Sequence, residues 1–245
     1  MQENRYAARR RSYGILYYDR IVFAVSVVSL SVCAAVFLLA ARAGYFKTAA
    51  REFYYVSVFR GGESGAARTA AEQNGRLGGA GYIINDGEFK VAAAVYAKKA
   101  DAETVAARLL EAGYSASVLP LYAPGRKHAD TKNGQTNAKI KAYYSVIDEM
   151  FSRLDAAAAA LERGESTEAL ALRDASLLYE KCQKLNSEVA GLQNGEAAAL
   201  ALLYPRYISS FDAAFSRRGA VPVLSLLRWL NCALVYDYYS VLAAD

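Results

Sequence analysis

The sequence predicts an α+β unit followed by an all-α one, both behind an N-terminal transmembrane helix. Three observations carry this: an uncharged apolar run between Arg20 and Arg42, a β-α-β-β-α-β alternation of residue patterns from Glu52 to Tyr122, and helical periodicity from Ala138 onward. The expected division is a basic cytoplasmic tail at 1–20, a transmembrane helix at 21–42, a ferredoxin-like βαββαβ domain at 50–122, a linker at 123–137 and an antiparallel helical bundle at 138–245.

The run from Ile21 to Ala41, IVFAVSVVSLSVCAAVFLLAA, contains no charge, proline or glycine. At about 1.5 Å per residue it reaches roughly 30 Å, the thickness of a bilayer's hydrocarbon. It exceeds the roughly 7–15 apolar residues of a cleavable signal, although Ala41-Arg42-Ala43 offers a cleavage-like pattern. Arg5, Arg9, Arg10, Arg11 and Arg20 precede it against Glu3 and Asp19, which predicts an inside N-terminus and an outside remainder. The expectation is a single-pass cell-membrane protein, with residues 21–42 in the lipid bilayer and the C-terminal part extracytoplasmic.

The net charge of +5 is partly that tail, so the remainder is only mildly basic and no nucleic-acid partner is expected. His128 is the lone histidine and sits in a polar stretch, which leaves zinc chemistry and a histidine triad little to work with. No glycine-rich phosphate loop precedes a helix, so no cofactor and no metal are expected. Cys33 falls in the apolar run, while Cys182 and Cys232 read as buried thiols, a disulfide between them staying open.

Between the run and the bundle, each element has a reason. EFYYVSVF at Glu52–Phe59 is aromatic and β-branched, a strand ended by Gly61-Gly62. Glu63–Leu77 is Ala-rich with helical spacing and stops at Gly78-Gly79. GYIIN and EFKVAAAVY are strands joined by Asp86-Gly87, a pair suited to a two-residue hairpin. Lys99–Ala112 is helical with Val105, Leu109 and Leu110 on one face and Gly113 after its end. YSASVLPLY alternates as a fourth strand. Two split β-α-β units of this kind place both helices on one sheet face and leave the other open.

These residues resemble the SPOR family, small βαββαβ modules of bacterial envelope proteins that bind peptidoglycan. FKVAAAVYAKKADAETVAARLLEAG, from Phe89 to Gly113, is similar to the family's aromatic-basic strand, following helix and closing glycine. FYYVSVF at Phe53–Phe59 is similar to its first strand, and the likeness spans about 70 residues, Phe53 to Tyr122. Departures are Ala94 where glycine is common and Val56-Ser57-Val58 in place of the usual glutamine and glycine. The resemblance implies non-catalytic binding of glycan strands stripped of stem peptides, at the septum of dividing or sporulating cells. On strand alternation Val56 and Val58 point to the helices, and Tyr55 and Ser57 away from them. Likewise Phe89, Val91, Ala93 and Val95 face in, Lys90, Ala92 and Ala94 face out, and Tyr82 faces out if Ile83 is core. The glycan-binding residues so implied are Tyr55, Ser57, Tyr82 and Lys90, where rings, a hydroxyl and a cation can meet sugars.

APGRKHADTKNGQTN, from Ala123 to Asn137, is polar and rich in turn formers, hence the linker. Helices are expected near 138–163, 165–194, 196–217 and 221–242, broken at Gly164, Gly195 and Gly219, with Pro205 kinking or splitting the third. The last is too interrupted by Arg228, Asn231 and Asp237 to be a second span. Asp148, Glu149 and Asp155 share a helix, but nothing in the sequence converges on them, so no catalysis is expected. Other septal or envelope proteins are the partners expected for these helices. The alternative function is a membrane-anchored scaffold whose modules bind such proteins and not glycan.

Overall fold

The computed structural model describes residues 46–47, 49–125, 127–128, 134–190 and 197–243, all within the unit Phe46–Asp245. Arg51–Gly61 (β2) is a long central strand, because its aromatic and β-branched residues suit a pleated surface buried on both faces. A short strand pair, Phe46–Lys47 (β1) with Lys127–His128 (β6), sits beside it in sequence on either flank of the unit. Ser64–Arg76 (α1) and Lys99–Glu111 (α2) are the two helices of the split units. Tyr82–Asn85 (β3), Phe89–Tyr96 (β4) and Ser117–Ala123 (β5) complete a four-stranded sheet in the order β3-β4-β2-β5. Every neighbouring pair is antiparallel.

Two compensating irregularities mark the β2–β4 ladder. Val56 pairs with Ala94 but Ser57 with Ala92, which leaves Ala93 unmatched on β4; Ser57 to Phe59 then spans Ala92 to Val91, leaving Val58 unmatched on β2. Directly opposed residues share a face, so Ala94 goes with Val56 to the α1/α2 side and Val95 goes with Tyr55 to the other. The alternation expected from sequence, Val95 toward the helices and Ala94 away, is corrected accordingly. A one-residue bulge reverses every side chain beyond it.

The helix side of the sheet has two small cores. Ala67 and Ala71 of α1 pack on Val91, and Ala102 and Ala106 of α2 pack on Val56. The other side is not open. Gly134–Glu162 (α3), Glu168–Ala190 (α4), Ala197–Ser216 (α5) and Val223–Ala243 (α6) form the helical half, and Phe53, Tyr55, Ile84, Ala92 and Val95 join their core in one contiguous cluster. The expectation of an exposed sheet face is thus corrected. α6 is apolar on most of its circumference because it has two surfaces to cover, the sheet on one side and α3 and α5 on the other.

Gly164 (φ +69°) and Gly219 (φ +81°) lie in the turns α3–α4 and α5–α6, where positive φ is available to glycine at no steric cost. α5 continues through Pro205.

The expected transmembrane helix, and with it the single-pass cell-membrane placement and the bilayer contact, is also corrected. No helix among the described residues is long and apolar enough to cross a membrane. α6 has 21 residues but carries Arg228 and Asp237, and the 29 residues of α3 are studded with charge. Residues 1–45, which include the apolar run at 21–42, lie outside the described residues.

Candidate functional site: a closed sheet face and an open cleft

Tyr55 projects from the centre of β2 into the junction with α6. Its hydroxyl donates to the backbone carbonyl of Cys232 at 2.9 Å, and only 1 % of the residue is exposed. Burial pushes its phenol well above the ordinary range, so it stays a neutral donor. Tyr82, on edge strand β3, meets Trp229 edge-on at 5.6 Å between ring centroids and Tyr236 at 6.0 Å. Burial raises this phenol too, with Asp237 adding a smaller push. These two tyrosines share one face and one neighbourhood, and that neighbourhood is α6.

Ser57 is buried and donates to the carbonyl of Phe59 at 2.9 Å, which ties down the bulge at Val58. Lys90 reaches back over the β3–β4 turn to both oxygens of Asp86, at 2.8 and 2.7 Å, with Glu88 at 3.6 Å. Arg60 pairs with Glu88 beside it. Of the four residues implied as glycan ligands, Tyr55 and Tyr82 come together, while Ser57 and Lys90 serve local turns. As folded, Tyr55 and Ser57 are buried, Lys90 is held by Asp86, and the ring of Tyr82 lies against Trp229 and Tyr236.

Further bonds fasten the same junction. Ser225 of α6 donates to the carbonyl of Gly75, and Arg228 donates to the carbonyl of Gly78 at 2.9 Å, both at the C-terminal end of α1, where carbonyls lack helical partners. Arg51 of β2 pairs with Asp148 of α3 and lies 5.3 Å from the ring centroid of Tyr238. Phe53 meets Phe151 and Tyr238 at 5.5 and 6.4 Å in edge-on geometry.

An accessible concavity lies on the opposite side. Between α1 and α2 a cleft of about 730 Å³ opens over the sheet, floored by Val58, Ala93 and Ala94. Arg76 and Arg108 stand in the last turns of α1 and α2, and both line it. Neither has an ion-pair partner among the described residues, whereas Arg228 at the rim is held by Glu162 at 2.7 Å. Tyr114, half exposed, and the buried face of Tyr96 add rings; burial pushes the Tyr96 phenol to about 12, with Arg228 opposing. A reading based on the sheet face missed this cleft. Its sequence signal is Ala93-Ala94, a pair of small residues in a central strand that leaves space above it.

Asp148 pairs with Arg51 and Glu149 with Arg153 and Lys181, while the carboxyl of Asp155 is raised chiefly by desolvation, with Asp101 adding to the rise and Arg228 opposing it. No group of His, Cys, Asp or Glu among the described residues could hold a metal ion. Cys182 and Cys232 are free and buried, and burial raises both thiols, Cys182 to about 12.

No family model matches the chain, and no curated protein matches it. Among solved structures, the chain is similar to the peptidoglycan binding domain of the B. subtilis cell wall lytic enzyme CwlC, with 27% identity over 30% of this chain and 94% of that one, at a TM-score of 0.26.

Proposed function

We propose that this chain is a non-catalytic binding protein for peptidoglycan glycan strands. The carrying observation is that the stretch Phe53 to Tyr122, whose residues resemble the SPOR family, lies within Arg51–Ala123, which folds as a βαββαβ unit with strand order β3-β4-β2-β5. Action at the division or sporulation septum is the finer part of this reading and rests on the resemblance alone. The direct test is co-sedimentation of the full chain with insoluble peptidoglycan before and after amidase removal of the stem peptides. Pelleting that increases on stem removal is the expected result. A chain that stays in the supernatant with both preparations overturns the reading.

A second reading, a scaffold for other envelope proteins, has one specific observation in its favour. Leu170 and Leu177 are exposed at 53 % and 45 % and lie seven residues apart, on one face of α4. Crosslinking that captures the same partner through this face, and loses it with Leu170→Ser/Leu177→Ser, would support that role.

A further inference from the structure

The binding surface used by the glycan reading must be one that the folded chain exposes, and the sheet face is not. We infer that the cleft between α1 and α2 is the ligand site, and that it recognises carboxylates spaced along a sugar chain. This inference rests on the peptidoglycan reading above.

The chemistry of the lining selects the ligand. Arg76 and Arg108 face the cleft from different walls without a carboxylate partner among the described residues. A guanidinium offers parallel N–H donors that match a carboxylate, and two of them unneutralised in one concavity favour an anion with more than one charge. The strand residues that line it, Val58, Ala93 and Ala94, are apolar, and Tyr114 lines it too, which suits the carbon-bearing faces of sugar rings. Gln73 and Ser115 also line the cleft and supply donors and acceptors for hydroxyls. The volume, about 730 Å³, lies within the range of small-molecule clefts.

Peptidoglycan strands present this pattern in one chemical state. When an amidase hydrolyses the bond to the stem peptide, the lactyl group on alternate sugars is released as a free carboxylate. With the stem attached, the same carbon is a neutral amide. A cleft that reads carboxylates seated directly on the sugars therefore distinguishes stripped from unstripped strands by where the charge lies, without any residue of the sheet face.

The experiment is a titration of the full chain with soluble glycan in three forms: stripped, stem-bearing, and stripped with its carboxylates converted to primary amides. The proteins are wild type, Arg76→Ala/Arg108→Ala, Arg76→Lys/Arg108→Lys, and Lys184→Ala on α4 as a charge-removing control remote from the cleft. Stripped glycan is expected to bind wild type and the control, and to bind the alanine pair about tenfold or more weakly, as expected for losing charge-assisted bonds. The lysine pair should retain part of the affinity. Amidated glycan should lose as much on wild type as stripped glycan loses on the alanine pair. Both arginines are exposed, so the variants should melt with wild type; if one does not, the amidated glycan on wild-type protein decides. Equal binding of stripped and amidated glycan, or wild-type affinity in the alanine pair, overturns the cleft and leaves the glycan reading standing. Absence of binding of every form to wild type overturns both.

Discussion

The hydroxyl of Tyr55 and the backbone carbonyl of Cys232 are joined by a 2.9 Å hydrogen bond across 177 residues of sequence. One end belongs to the central strand of the sheet, the other to the middle of α6. The carbonyl already accepts within its helix, so the tyrosine fills a second lone pair in a site sealed from water. The sheet and the helical half therefore meet through a buried polar contact as well as through apolar packing.

Tyr55→Phe tests this directly. It removes the donor and keeps the ring, and the expected cost is about 1 kcal/mol, the net worth of a buried hydrogen bond. Tyr55→Ala leaves a cavity in the same place and should cost about 3–5 kcal/mol. Urea denaturation of both variants gives the numbers. Stability unchanged in Tyr55→Ala would mean that the residue is not part of the core.

Residues 50–122 taken alone should fail to fold cooperatively. The isolated piece exposes Phe53, Tyr55, Tyr82, Leu119 and Leu121, which the intact chain packs under α3 and α6. At about 1.5–3 kcal/mol for each large apolar side chain left in water, the loss rivals the whole stability of a small domain. Dye binding to exposed apolar surface and a broad melt followed by circular dichroism are the expected results. A sharp transition would show that the sheet does not need its cover.

Gly81→Ala should be among the most damaging single changes. Gly81 has φ +58°, its amide is held by the side-chain oxygen of Asn74 at 3.0 Å, and an added Cβ would run into the backbone carbonyl of Ala71. Strain at positive φ together with a clash against immovable backbone predicts a loss of about 3 kcal/mol or more. Thermal melting of Gly81→Ala beside Gly62→Ala, where nothing lies within reach of the new methyl, makes the comparison internal.

Asp237 gives stability a pH dependence of defined sign. Burial raises its carboxyl above the ordinary value, although the Ser210 hydroxyl at 3.0 Å and Arg206 pull the other way. A raised carboxyl binds its proton more tightly folded than unfolded. Its contribution is therefore favourable at low pH and falls as pH rises from the unfolded value through the folded one, then stays level. Asp237→Asn should shift the urea midpoint upward at pH 7 and leave it nearly unchanged near pH 3. An equal shift at both values would remove the titration from the explanation.

Cys182 and Cys232 should resist alkylation in the native protein. Both are buried, and their raised thiols leave little thiolate at pH 8. Peptide mass mapping after iodoacetamide should find both unmodified without denaturant and modified in 6–8 M urea, a concentration range typical of full unfolding. Early labelling of Cys232 alone would report a local opening of α6.

The order of elements was legible because each carries its own signal. The aromatic and β-branched run of β2, the Asp86-Gly87 turn and the glycine at 113 (φ +84°) are local features with local causes. The faces were harder. Alternation through β4 holds as far as Ala92, and the unmatched Ala93 then turns Val95 toward Tyr55, which no propensity distinguishes from a regular strand. The closure of the sheet was legible only indirectly. VLSLLRWLNCALVYDYY is apolar around most of a helix, a sign that two different surfaces must cover it, and the sequence does not say that one of them is Tyr55 and Tyr82. The same rings satisfy a sugar platform and a packing face equally well. The membrane reading failed on a different ground, because hydropathy alone carried it and no described helix supports it.

The position of α6 also sets an order of events during synthesis. The sheet is complete at Ala123, but the helix that covers it begins at Val223, about 100 residues later. At about 5–20 residues per second the ribosome needs roughly 5–20 s for that interval. Throughout it the strands lack a stable fold and the aromatic residues of their covered face are wet and unclaimed, so the nascent chain must stay soluble on charges such as Lys90, Asp86 and Glu88, or on a chaperone, until its cover arrives.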